Sequence, residues 1–149
     1  MSHPVETLLA LYKEQTDQAR HHEDQRATIS NYALLLAGAV LGLINADALR
    51  SAQLQLGCFL VITGCFGSFV TAKHYERSRY HARLAGSYRR RIEALQPDTA
   101  IEREDIRSEQ RREFPFLNGE RLWTLWVSLH ILVAVLGALL AVLAFRRQS

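Results

Sequence analysis

Charge is missing from three long stretches of this 149-residue sequence. No Asp, Glu, Lys or Arg occurs between Arg26 and Asp47, a gap of 20 residues. The gap from Arg50 to Lys73 holds 22, and the gap from Arg121 to Arg146 holds 24. A soluble domain of this length has no room to hide three such stretches. Each one is long enough for a bilayer, which takes roughly 20 residues at about 1.5 Å rise per residue. Proline is scarce too, with three in the chain, so long helices go uninterrupted. Two cysteines, Cys58 and Cys65, exclude a disulfide scaffold. They fall seven residues apart in the second apolar stretch, where the expected role is packing of a helix interface. No P-loop, dinucleotide fingerprint, nucleophile elbow, HExxH or CxxC occurs. No enzyme, cofactor or metal site is expected.

What is present is an all-α membrane protein with three transmembrane helices. Span one covers residues 29–46, span two 52–72 and span three 122–145. The first two form a tight hairpin joined by a few residues around Asp47 to Ser51. Residues 1–28 read as an amphipathic helix, 73–121 as a helical segment outside the membrane, and 146–149 as a tail. Trp123 and Trp126 at the start of span three fit an aromatic belt at the headgroups, and Tyr32 can do the same for span one.

Orientation follows from the loop cations. The N-terminal segment carries three Lys or Arg, the 49-residue connection twelve, the hairpin loop one and the tail two. These counts place the N-terminus and the long connection in the cytoplasm. The first 26 residues hold five acids, three bases and no apolar run, so span one is expected to act as its own insertion signal.

The parts outside the membrane read as extensions of the hairpin. Pro4 suits a first helical position, and no later proline interrupts a helix running into span one. Val5, Leu8, Leu9 and Tyr12 form its apolar stripe, thinning to Thr16 and Ala19. After span two, KHYERSRYHARLAGSYRRRIEAL continues as helix, with Tyr80 or His81, Leu84, Tyr88, Ile92 and Leu95 on one face. Pro97, Asp98 and Thr99 make a turn, and Asp98 or Thr99 is expected to cap a further helix through about Glu113.

Four groups of residues invite a functional reading. Gly38 and Gly42, Gly64 with Ser68, and in span three Ala134 with Ala138 and Gly137 with Ala141, are small-xxx-small pairs that let helices approach closely in lipid, within one chain or between chains. His130 lies two turns inside span three, where an ionisable group faces protein or water. It is either a pore-lining or proton-sensing residue, or a neutral imidazole bonded across helices, with Ser68 or Thr71 as partner. Arg77, Arg79, Arg83, Arg89, Arg90 and Arg91 form a basic patch: residues 73–91 carry seven bases and one acid. That patch can bind anionic headgroups, pair with the acidic stretch after it, or hold a phosphate-bearing ligand. Nucleic acid is not expected. His21 and His22, about 100° apart on a helix, cannot grip one ion from one face. His74 and His81 share a face, but a metal would need a further helix.

The segments LYKEQTDQARHHEDQRATISNYALLLAGAVLGLI and HYERSRYHARLAGSYRRRIEAL flank a short apolar hairpin. Over residues 8–95 this arrangement resembles the small bacterial SLATT-type membrane proteins. That family supplies membrane-acting effectors beside nucleotide-signalling and other anti-phage systems. The resemblance implies a homo-oligomer of the bacterial inner membrane that permeabilises or perturbs the bilayer when triggered. The chain departs from the pattern in its third span and its lack of a sensor domain, and no functional residue is carried over. The alternative expectation is a non-conducting adaptor that docks a cytoplasmic protein.

Overall fold

A computed structural model describes residues 3–43, 51–115 and 122–148. Every regular element in these residues is helical: α1 (His3–Leu43), α2 (Gln53–Leu95), a 3-10 turn (Pro97–Thr99), α3 (Arg103–Glu113) and α4 (Leu122–Gln148). α1, α2 and α4 are each long and apolar enough to cross a membrane. The absence of internal proline lets α1 and α2 continue unbroken through their change from apolar to charged sequence. The end of span one and residues Asp47 to Arg50 of the expected hairpin loop lie outside the described residues.

Two compact units share these helices. An apolar unit comprises Asp24–His74 with Trp123–Ser149. A polar unit comprises Met1–Glu23 with Tyr75–Leu122.

In the apolar unit, size rather than hydropathy separates inside from outside. The buried positions of α1 are Arg26, Ser30, Ala33, Ala37 and Val40, spaced by three and four residues. Those of α2 are Gly57, Leu60, Gly64, Gly67 and Thr71, and those of α4 are His130, Val133, Gly137 and Ala144. Each set lies on one face of its helix. The large side chains point the other way: Leu35 is 70% exposed and Phe69 71%. That is an interior of small residues under a coat of large apolar ones, the arrangement expected when lipid surrounds the bundle. Ala37, Val40, Leu60 and Val133 form its apolar core, flanked by Leu56 and Leu140. Cys58 and Cys65 are free thiols on the outer face. They do not pack a helix interface as expected, because Gly57 and Gly64, one residue earlier in each case, take the inward positions.

In the polar unit the core is thin. Val5, Ser78 and Ala85 are buried, with Leu8, Tyr12, His81, Leu84, Tyr88 and Ile92 half-buried around them. Leu9, expected in the α1 stripe, is exposed, and of the two alternatives at the start of the α2 stripe His81 faces in and Tyr80 out. Ser78 Oγ donates to Glu23 Oε1 at 3.2 Å, and His81 Nδ1 donates to Gln15 Oε1 at 2.7 Å. α3 buries none of its residues. Asp98 and Thr99 sit in the 3-10 turn and do not cap α3; its N-cap is Glu102, which makes no side-chain capping bond.

Candidate functional site

Close approach of α2 to α4 organises the apolar unit. A Cβ built on Gly57 would lie 2.7 Å from Ala141 N, and one on Gly137 would lie 2.7 Å from Gly57 O. One on Gly64 would lie 2.6 Å from His130 O. Backbone therefore packs on backbone, which only glycine permits. Pairing of 57 with 141 and of 64 with 134 makes the two helices antiparallel.

Gly67 is cleared for the His130 ring, which a Cβ there would strike. His130 Nε2 and Ser30 Oγ are hydrogen-bonded to each other at 3.0 Å, and both residues are fully enclosed, at 1% and 0% exposure. The expected partners of His130 were Ser68 or Thr71, and neither serves. Ser68 Oγ donates instead to Gly64 O in its own helix, at 2.9 Å. Among the described residues, layers of small and apolar side chains (Ala33, Ala37, Val40, Leu60, Val133) follow this polar layer along the bundle.

The small-xxx-small residues thus part company. Gly64 is in the α2–α4 contact and Ser68 lies beside it. Gly38 and Gly42 face outward, with nothing within 4 Å of an added Cβ. Gly137 and Ala141, an expected small-xxx-small pair of span three, are in that contact too, whereas Gly57 and Gly67 had a different signal. In α2 every seventh residue from Gly57 is small and buried: Gly57, Gly64, Thr71, Ser78, Ala85. In α4 the same period gives His130, Gly137 and Ala144.

The basic patch is not one patch. Arg79, Arg83 and Arg90 fall on one face of α2, Arg77 and Arg91 on another, and Arg89 on a third, by the helix period. Arg77, Arg79, Arg83, Arg90 and Arg91 are exposed. Arg89 Nε stands 3.9 Å from Glu93 Oε1 on its own helix. The expected pairing of a basic α2 with an acidic α3 is reversed: Arg103 of α3 pairs with Glu93 of α2. α3 itself carries four bases and four acids, so its charges pair locally. His22 stacks on His81, rings 5.5 Å apart, so two of the polar unit's histidines meet each other. Groups of three or more metal-ligating side chains are absent among the described residues.

Within α3, Glu104 accepts a hydrogen bond from Arg111 at 2.7 Å. That bond, then the charges of Arg111 and Arg107, holds its carboxyl below the usual value of 4.5. A depressed carboxylate stabilises the folded form above its ordinary value, and the contribution fades as pH falls through the lower folded value. We expect Arg111→Gln to move the Glu104 titration midpoint, read by carboxyl carbon NMR, up toward 4.5. An unchanged midpoint would remove Arg111 as the cause.

Comparison with family models, with curated proteins and with solved structures returns no match to this chain.

Proposed function

We propose that this chain is a multi-pass protein of the bacterial inner membrane, N-terminus in the cytoplasm, that holds a cytoplasmic protein at the membrane. The observation carrying this reading is α3. An 11-residue helix that buries none of its residues is marginal alone in water. Among the described residues an ion pair between Arg103 and Glu93, both half-buried, ties it to α2, and ion pairs near a protein surface contribute about 1 kcal/mol or less. Ile106 of α3 is 56% exposed, and Leu95, Ile101 and Phe114 are exposed near its ends. A partner covering these side chains would supply the burial that the helix lacks. The apolar unit then serves as an anchor: its polar pair is bonded internally and its glycines close the bundle.

The second reading is the oligomeric effector that permeabilises the bilayer. It is favoured by the outward face of α1, where Asn31, Leu34, Leu35, Gly38 and Ala39 line an open groove of about 620 Å³. An amide and a glycine surface turned to lipid are suited to meeting another copy.

One pair of measurements separates the two. Membrane potential is read with a voltage-sensitive dye during expression of wild type and of a Gly38→Leu/Gly42→Leu variant at matched membrane level. In parallel, proteins cross-linked to the full chain are compared between wild type and Ile101→Asp/Ile106→Asp. Docking predicts an unchanged potential and a cross-linked species lost in the Asp variant. Depolarisation by wild type that the Leu variant abolishes would replace docking by permeabilisation.

A further inference from the structure

One turn below the His130–Ser30 pair, three side chains of the apolar unit, the buried Arg26 and Thr71 and the half-buried Trp126, each hold an enclosed donor that is unused. Arg26 precedes Ser30 by one turn of α1, Trp126 precedes His130 by one turn of α4, and Thr71 follows Gly67 by one turn of α2. Ser30, Gly67 and His130 meet in one layer, so these three fall together in the next. The Arg26 guanidinium carbon lies 6.0 Å from the centre of the Trp126 ring, which fixes that side of the layer.

Arg26 is 7% exposed and Thr71 0%. Arg26 Nε, Thr71 Oγ1 and Trp126 Nε1 are all buried, and none has a hydrogen-bond partner. A guanidinium N–H and an indole N–H can only donate, and a threonine hydroxyl can donate. The layer therefore presents donors and a positive charge. A buried charge calls for a counter-charge, and truncation of one partner shows how costly an unpaired one is. Two carboxylates of α1 lie near Arg26 in sequence: Asp24 is exposed and turned away by a two-residue offset, and Glu23, three residues back on the same side of α1, accepts from Ser78 Oγ at 3.2 Å and makes no ion pair with Arg26. The Trp126 ring attracts the cation through its face but accepts no N–H in the guanidinium plane.

We propose that Arg26, Thr71 and Trp126 bind one oxygen of a phosphate-type oxyanion. Arg26 supplies the charge and its Nε–H, the indole N–H a second donor and the Thr71 hydroxyl a third. Charge-assisted donors of this kind are the strong ones. The oxyanion comes either from a phosphodiester headgroup or from free phosphate. The site is independent of whether the chain docks a partner or permeabilises the membrane.

The test uses the full chain with Trp123→Phe, which leaves Trp126 as the one indole of the two in the sequence. It is reconstituted in bilayers of the phosphate-free lipid digalactosyldiacylglycerol alone, and of that lipid with phosphatidylglycerol. Inorganic phosphate is titrated into the first set, with gluconate as control. We expect a change in Trp126 emission that depends on phosphatidylglycerol content, or one that saturates with phosphate; the first assigns the headgroup and the second the free anion. Arg26→Gln and Thr71→Val should each weaken the response about tenfold or more, as loss of a hydrogen bond to a charged group does. Arg26→Met keeps the apolar bulk and provides a second readout. It should abolish the rise in melting temperature that the anion confers on the parent chain. No response in either set, or a response that Arg26→Gln and Thr71→Val leave unchanged, overturns the site. So does an Arg26→Met chain that melts higher than its parent in both sets, since the buried charge would then have no counter-ion.

Discussion

Gly64→Leu is expected to leave no folded apolar unit. The first atom of any side chain at this position would sit 2.5 Å from Ala134 N and 2.6 Å from His130 O. Both are backbone atoms of α4, so no rotamer change relieves the overlap. The helix must move, and movement separates Leu60 from Val133 in the small apolar core. Overpacking costs about 1–3 kcal/mol even where neighbours can adjust, and here they cannot. We therefore expect Gly64→Ala to lower the melting temperature in detergent by several degrees, and Gly64→Leu to yield no monodisperse protein. Gly38→Leu and Gly42→Leu are the controls, because nothing lies within 4 Å of either position. Each also removes a helical glycine, which is worth up to about 1 kcal/mol. Their melting should equal or exceed that of wild type. If Gly38→Leu proved as damaging as Gly64→Leu, the inward assignment of the glycines would be wrong.

His130→Ala is the second large effect. The ring is 1% exposed, sits against Gly67 and is bonded to Ser30. Its removal opens a cavity between three helices and strands a hydroxyl in a fully enclosed site. Large-to-small changes in a core cost about 2–5 kcal/mol, and an orphaned buried group adds about 1–3 kcal/mol. Ser30→Ala removes only the hydroxyl and should cost less. The double variant isolates the bond itself, for which interhelical values in membranes are about 0.6 kcal/mol and reach about 1.7. Additive single losses, measured by reversible unfolding in detergent, would show that packing alone holds His130 in place.

The seam of α2 shows how far residue types carry and where they stop. Lack of charge over residues 27–46, 51–72 and 122–145 is a local property, and it was enough to place three long helices in the chain. Lack of proline in α1 after Pro4, and anywhere in α2, was enough to make them continuous. Which face of each apolar helix turns inward was harder to read, since both faces are apolar and hydropathy does not distinguish them. The distinguishing property is side-chain size at a seven-residue period, visible in Gly57, Gly64 and Thr71 once it is looked for. The GxxxG pair Gly38/Gly42 carries the better-known pattern and lies on the outer face all the same.

Charge sums misled in a similar way. Totals for residues 73–91 and 92–121 pointed to a basic helix pairing with an acidic one. The cross-helix contact is Arg103 with Glu93, because single side chains within reach decide an ion pair, not regional totals.

The sequence by itself thus determined that the chain is helical, where its apolar spans fall, and that His130 is an ionisable group that must face protein or water. Only the tertiary structure decided that the partner is Ser30, that Arg26 reaches the Trp126 ring, and that Gly38 stays outside while Gly64 goes in. Helix formation and insertion depend on composition summed along a segment. The rotation of one helix against another depends on contacts between residues up to 100 positions apart, and those exist only once the helices have packed.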